Sequence, residues 1–288
     1  MVTLSAAQLS PLVNGYKIHS GQTRAITLAS ASKLAKLGEV TVRGTLLGRE
    51  LVRLDAKTNT RKARAGGPYH IEANDGDLHF CLGTKALHPH IGCELQNATA
   101  SLGTFKKAVG QTIAVTGFFR CLFEHPGFMT NDDAHIFEIH PVRAVTIGGK
   151  VLTFDVDIPD QAAIHTWAAP HPVAKQDERV RVTYAKSTDT LVFSDMDGRD
   201  ENYIRVSGVV SDVQTTATGE ALSSFMLTSP EVGHPLHAYC LPGTSAARQL
   251  QGLATPTVSA VVLRNIDLTE ALKGRYVINV LAIDLQAA

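Results

Sequence analysis

The sequence predicts an all-β chain built from two five-stranded barrels in tandem. Three observations carry this. Short runs alternate apolar and polar residues with period two. Glycines fall inside several of those runs, where they mark bends or bulges. The same order of strands, with a short helix between the third and fourth, recurs in the second half.

Residues 1–39 read as an N-terminal extension, weakly patterned until Ala25–Leu37. There Ala25, Leu28, Ala31 and Leu34 line one face of a short helix that Gly38 stops. Residues 40–149 read as the first barrel. Its first strand is Val40–Leu51 with Gly44 inside, followed by a polar basic loop that ends in Gly66-Gly67-Pro68. Strands Asp77–Leu82 and Ile91–Gln96 come next, then a helix within Ala98–Val109. Gln111–Phe123, interrupted by Gly117, and His135–Ile147 complete the five, and Gly148-Gly149 punctuates the chain.

Residues 150–202 form an insert with strands at Val151–Val156, Val180–Tyr184 and Leu191–Ser194, expected to pack on the second barrel. Residues 203–288 repeat the plan. Tyr203–Val213 holds Gly208, and Leu222–Leu227 and His237–Leu241 follow. Ser245–Leu253 suits the linking helix, and Thr257–Leu263 and Tyr276–Ile283 close the set.

At 288 residues the chain suits two units of roughly 130–150 each. Formal net charge is zero, so no global field favours nucleic acid or membrane. The halves differ: residues 1–149 carry 16 Lys/Arg against 11 Asp/Glu, and residues 150–288 carry 11 against 16. Much of the basic surplus sits at Arg49, Arg53, Lys57, Arg61, Lys62 and Arg64. Four scattered cysteines give neither a disulfide framework nor a CxxC pair, and Cys93 and Cys121 read as small buried hydrophobes. No apolar stretch approaches the ~20 residues of a spanning helix, and the first ten residues lack the charge and apolar run of a leader. A cytoplasmic, reducing setting is the expectation.

Both halves resemble OB-folds, five-stranded Greek-key barrels with a helix between strands three and four. Across residues ~40–147 the chain is also similar to uncharacterised bacterial proteins that carry an Asp-x-His strand, a later Glu, a Phe-x-x-x-x-His element and a Glu-[Ile/Leu]-His-Pro-Val strand. Here those elements are Asp77-Leu78-His79, Glu94, Phe119 through His125 (with five intervening residues where the pattern has four), and Glu138-Ile139-His140-Pro141-Val142. The likeness implies no activity, and the second half lacks a Glu-x-His strand.

Parity places His79, Glu94, Glu138 and His140 on the face opposite Leu78, Phe80, Ile91, Cys93, Phe137 and Ile139. In an OB barrel the third strand lies between the second and the fifth, so these side chains share one surface, with His125 ending the next strand. Three chemistries suit the set. His79, Glu94, His125, Glu138 and His140 could hold a divalent transition metal such as Zn²⁺, with hydrolysis at an open position. A carboxylate could orient a histidine as an acid/base pair. A hydrogen-bonded network could simply stiffen the sheet.

The Arg49–Arg64 run falls between strands one and two, a loop that in OB-folds grips single-stranded nucleic acid or oligosaccharide. Its cations supply phosphate attraction. Aromatic stacking partners are scarce on the first barrel's outward parity, where Phe118 is nearly alone. A solvated loop is the plain alternative. His88, His90, His165, His171, His234 and His237 read as structural or exposed, and Asp195–Glu201 as an acidic turn rather than a calcium loop.

The sequence therefore carries two functional expectations and assigns no enzyme class. One is an OB-fold binding protein, with single-stranded nucleic acid as leading ligand and another protein as the further possible partner. The other is a metal-dependent site on the outer face of the first barrel, with hydrolysis among the chemistries open to it. Any specialised site is expected in the first half.

Overall fold

The computed structural model of the protein describes residues 1–13, 16–18, 24–48, 53–54, 77–83, 91–122, 137–156, 158, 164, 166–167, 179–194, 203–215 and 222–288. The extension contains β1 (Val2–Ser5), α1 (Ala6–Val13), β2 (Tyr16–Ile18), β3 (Arg24–Thr27) and α2 (Leu28–Leu34). It is more ordered than its sequence suggests. β1 adds in parallel to the first barrel strand, and α1 continues past Pro11 to bury Leu9 and Val13. The expected helix at 25–37 starts later, because the Thr27 side chain accepts the Ser30 N–H and caps it.

The first barrel is built from β4 (Glu39–Leu46), a short β5 (Arg53–Leu54), β6 (Leu78–Gly83), β7 (Ile91–Leu95), α3 (Leu102–Ala108), β8 (Thr112–Cys121) and β9 (Phe137–Ile147). Its order is β4-β8-β9-β7-β6, and a β4–β6 pairing at Thr45 and Leu46 closes the ring. The β7–β9 pair is parallel and the other pairs are antiparallel. Phe105 of α3 plugs the core against Phe80, their ring centroids 4.8 Å apart.

The insert supplies β10 (Lys150–Thr153), β11 (Arg181–Ala185) and β12 (Thr190–Ser194). β10 extends β9, while β12 pairs with β3 in the sheet β11-β12-β3-β2. Between those strands the insert lies on the second barrel: Val156, Ile158 and Ile164 pack with Val261, Leu263, Leu281 and Ile283.

The second barrel comprises β13 (Tyr203–Gln214), β14 (Ser223–Thr228), β15 (Leu236–Cys240), α4 (Ser245–Gln251), β16 (Thr257–Ile266), α5 (Leu268–Ala271) and β17 (Ile278–Ala287). Its closed order, β13-β14-β15-β17-β16, repeats the first barrel strand for strand. The chain is thus two OB-folds in tandem. Glycine serves close approach in both: a Cβ at Gly117 would collide with the Pro141 carbonyl, and one at Gly208 with the Thr228 carbonyl.

The barrels meet where the end of β8 abuts the end of β16. Arg120 Nε donates to Arg264 O at 2.9 Å, and the Cys121 N–H donates to Asn265 Oδ1 at 2.7 Å. Phe118, outward on β8, packs with Tyr203, Leu263 and Leu281 of the second barrel.

Candidate functional site

Register brings the expected polar residues together. His79 of β6 pairs with Glu94 of β7, and Glu138 of β9 pairs with Arg120 of β8. His140, two residues beyond Glu138, shares its face. The imidazole Nδ1 of His140 lies 3.0 Å from Glu138 Oε1, 3.2 Å from Glu94 Oε2 and 3.1 Å from Arg120 Nη1. Glu94 Oε1 is 3.6 Å from His79 Nε2, and Arg120 Nη1 donates to Glu138 Oε1 at 2.6 Å.

Asp77 belongs to the same cluster. One ligand atom from each of Asp77, Glu94 and His140 lies within 4.8 Å of the others. Asp77 Oδ1 also accepts the Asn97 N–H at 2.9 Å.

The surroundings differ from an exposed sheet. Asp77, Glu94, Arg120, Glu138 and His140 are buried, and only His79 is partly exposed. The second barrel covers them. His140 Nε2 lies 2.6 Å from the hydroxyl of Tyr203, which also takes a short hydrogen bond from Gln96 Nε2. The cluster is therefore part of the joint between barrels. The cluster holds three buried carboxylates and the Arg120 guanidinium, which pairs with Glu138; this is an excess of negative charge that imidazolium protons or a divalent cation would balance. Burial raises the Cys93 thiol well above its ordinary pKa, with Cys81 and Glu138 adding to the effect, so it stays a protonated hydrophobe. Burial likewise raises the Cys121 thiol, against a smaller opposing pull from Arg120.

Of the other expected site residues, His125, Arg49, Lys57, Arg61, Lys62 and Arg64 lie outside the described residues. Arg53 is placed by its backbone in β5, opposite His79 in register. Arg120, Tyr203 and Gln96 complete the cluster without having been singled out in the sequence.

The corresponding face of the second barrel is only partly covered: Thr228 and His237 are exposed, and Ser224, Met226 and Tyr239 are half-buried. Ser224, Met226 and Thr228 of β14 and His237 and Tyr239 of β15 point outward, with Ser224 opposite Tyr239 and Met226 opposite His237. The His237 and Tyr239 rings lie 4.6 Å apart, and His237 is exposed. The Tyr239 hydroxyl lies 3.2 Å from His237 Nδ1. Burial raises the Tyr239 pKa and the charge of Asp267 raises it further, so the phenol is neutral. Val209 and Val213 of β13 add exposed apolar surface beside this face.

No protein family and no curated protein matches the chain. Among solved structures, it is similar to the wild-type single-stranded DNA binding protein from Thermus aquaticus. That match has 14% identity, spans 88% of this chain and 93% of that chain, and has a TM-score of 0.23. A deletion mutant of that protein matches at 15% identity over 88% of this chain and 94% of that chain, also with a TM-score of 0.23. A structure described as "Structural mimicry for functional antagonism" matches at 10% identity over 94% and 98%, with a TM-score of 0.23. The fold assignment rests on the strand order itself.

Proposed function

We propose that the protein binds single-stranded nucleic acid, using the outward face of β14 and β15 as its platform. The observation that carries this reading is the partly exposed His237–Tyr239–Met226 surface on strands two and three of an OB barrel. Aromatic faces accept bases of any sequence by stacking. The cations beside α5, Lys273 and Arg275, are engaged by Glu270. Phosphate attraction is assigned chiefly to the basic surplus of the first half at Arg49, Arg53, Lys57, Arg61, Lys62 and Arg64.

The test is fluorescence anisotropy with mixed-sequence single-stranded DNA and RNA across a salt series. Binding should weaken as salt rises, and Arg61→Glu, Lys62→Glu and Arg64→Glu together should reduce both affinity and salt slope. No binding to either nucleic acid at low salt rejects the reading.

A second reading is supported by the spacing of Asp77, Glu94 and His140: a divalent transition metal in the barrel joint. The 3.2 Å between His140 Nδ1 and Glu94 Oε2 matches the roughly 3.3 Å between ligands of a tetrahedral Zn²⁺ with bonds of about 2.0–2.1 Å. Burial of all three residues suits a structural ion; hydrolysis needs an open position facing substrate. Arg120 competes for the same place, because its guanidinium already touches His140 and Glu138. Elemental analysis of untagged protein decides: stoichiometric metal supports the ion. Metal-free protein that gains no thermal stability from Zn²⁺ or Mn²⁺ removes it.

A further inference from the structure

A cleft of about 230 Å³ opens at the seam of the two barrels, next to the β14–β15 face. One side is formed by Lys36, Leu37 and Gly38, just after α2, together with Phe118 and Cys121 of β8. The other side comes from the second barrel: Leu222, Tyr239, Asn265, Asp267, Thr269 and Asn279. An engineered cavity of ~150 Å³ in another protein holds benzene, so this volume suits one heteroaromatic ring system and not a length of chain.

The lining suits a base chemically. Phe118 and Tyr239 form an aromatic wall, their centroids 6.1 Å apart. The same cleft is lined by a fixed amide pair. Asn265 Nδ2 donates to Asn279 Oδ1 at 2.6 Å, while Asn265 Oδ1 accepts the Cys121 N–H. These bonds orient both amides and leave Asn279 Nδ2 as a donor with no protein acceptor among the described residues. Asn279 is 7% exposed, and its Nδ2 is open to water or ligand in the cleft. Asp267 supplies an acceptor at the same site: one carboxylate oxygen caps α5 by accepting the Thr269 and Glu270 N–H groups, and the other is left over. Its charge also reaches Tyr239, which places the carboxylate near the aromatic wall. Lys36 is exposed on the rim, where it can meet a phosphate.

We propose that this cleft receives a single unpaired nucleobase, stacked against Phe118 and Tyr239 and hydrogen-bonded at its edge by Asn279 and Asp267. The inference rests on the nucleic-acid reading above and deepens it: the platform gives general stacking, and the cleft gives one position where a base edge is read. It also gives the tandem arrangement a purpose, because neither barrel alone forms the site.

Gly38 allows a direct test. It lines the cleft, and a Cβ added there meets nothing within 4 Å, so Gly38→Phe adds a ring next to the cleft without a clash at its own Cβ. Asn279→Asp provides a second variant that exchanges the donor for an acceptor at nearly constant shape. Oligonucleotide affinity is measured by anisotropy, and the side-chain NH2 resonance of Asn279 is followed by NMR on addition of oligonucleotide and of nucleoside monophosphates. Each variant that keeps the wild-type melting temperature should bind oligonucleotide roughly fivefold to a hundredfold more weakly. The Asn279 resonance should move in wild type and stay still in Gly38→Phe.

Wild-type affinity in both variants, with an unmoved Asn279 resonance, overturns the cleft while leaving the nucleic-acid reading intact. Monophosphates that move Asn279 when no oligonucleotide binds support the cleft and overturn the strand-binding reading. If neither probe binds, both fall.

Discussion

The two barrels share one strand order and put the same pair of strands to opposite uses. In the first, the outward face of β6 and β7 is acidic, charged and buried beneath Tyr203 of the other barrel. In the second, the outward face of β14 and β15 is partly exposed and carries His237, Tyr239 and Met226. A topology fixes which surface is available; the side chains on it decide whether that surface meets a ligand or a neighbouring domain. A charged face tolerates burial only as far as its charges are paired; the Arg120–Glu138–His140–Glu94 contacts pair part of them here, and the remaining negative charge calls for imidazolium protons or a cation. An aromatic face needs no such partners and can stay exposed for stacking.

The largest expected effect breaks the closed side of that comparison. Arg120 is fully buried, pairs with Glu138 and touches His140, which itself meets Glu94. Arg120→Ala should cost about 3–5 kcal/mol of unfolding free energy, because it strands buried carboxylates. On the open side, His237→Ala should change stability by no more than about 0.5 kcal/mol. Urea denaturation measures both. Equal losses would show that the two faces are not differently used.

Tyr239→Ala takes the open side by its own function. Loss of one stacking partner should weaken oligonucleotide binding by about 1–3 kcal/mol, read by anisotropy at fixed salt. A variant that stays folded and binds like wild type would remove Tyr239 from the platform. On the closed side, Tyr203→Phe deletes the hydroxyl shared by His140 and Gln96 and should destabilise by about 1–3 kcal/mol, since both partners are buried. Unchanged stability would mean that the joint does not depend on that bridge.

Much of the fold is legible because strand parity and interrupting glycines are local properties. The same parity puts Glu94, Glu138 and His140 on one face, as found. Arg120 obeys the rule too, sharing the outward parity of Phe118, yet a lone charge at the end of an apolar strand reads as solvated. Tyr203 could not be found this way: it reaches His140 from 63 residues away, and docking of one domain on another leaves no periodic trace. β1 and α1 were hidden for another reason. β1 is a four-residue edge strand, and Pro11 reads as a break although α1 runs through it. The sequence pattern points to the first half, whereas the face still open to a ligand is on the second.

The smallest effect concerns how the insert is tied to the open barrel. Asp155 accepts hydrogen bonds from Ser245 N–H and Oγ and from Arg248 Nη2 at the start of α4. Burial alone would raise its pKa; the Ser245 and Arg248 interactions outweigh that and hold it below the ordinary carboxylate value. A carboxyl with a depressed folded pKa contributes stability above its unfolded value of about 3.9, and that contribution disappears as pH falls through the folded pKa. The pair is nearly half exposed, so solvent and salt screen it to under about 1 kcal/mol. Asp155→Asn should therefore lower stability slightly at pH 7 and converge with wild type once both carboxyl states are protonated. Denaturation curves taken from pH 7 downward until the folded carboxyl is itself protonated test the sign. A gap that persisted at the acid end would assign the loss to the altered hydrogen bonds rather than to the charge, and would leave the tie between insert and second barrel insensitive to pH.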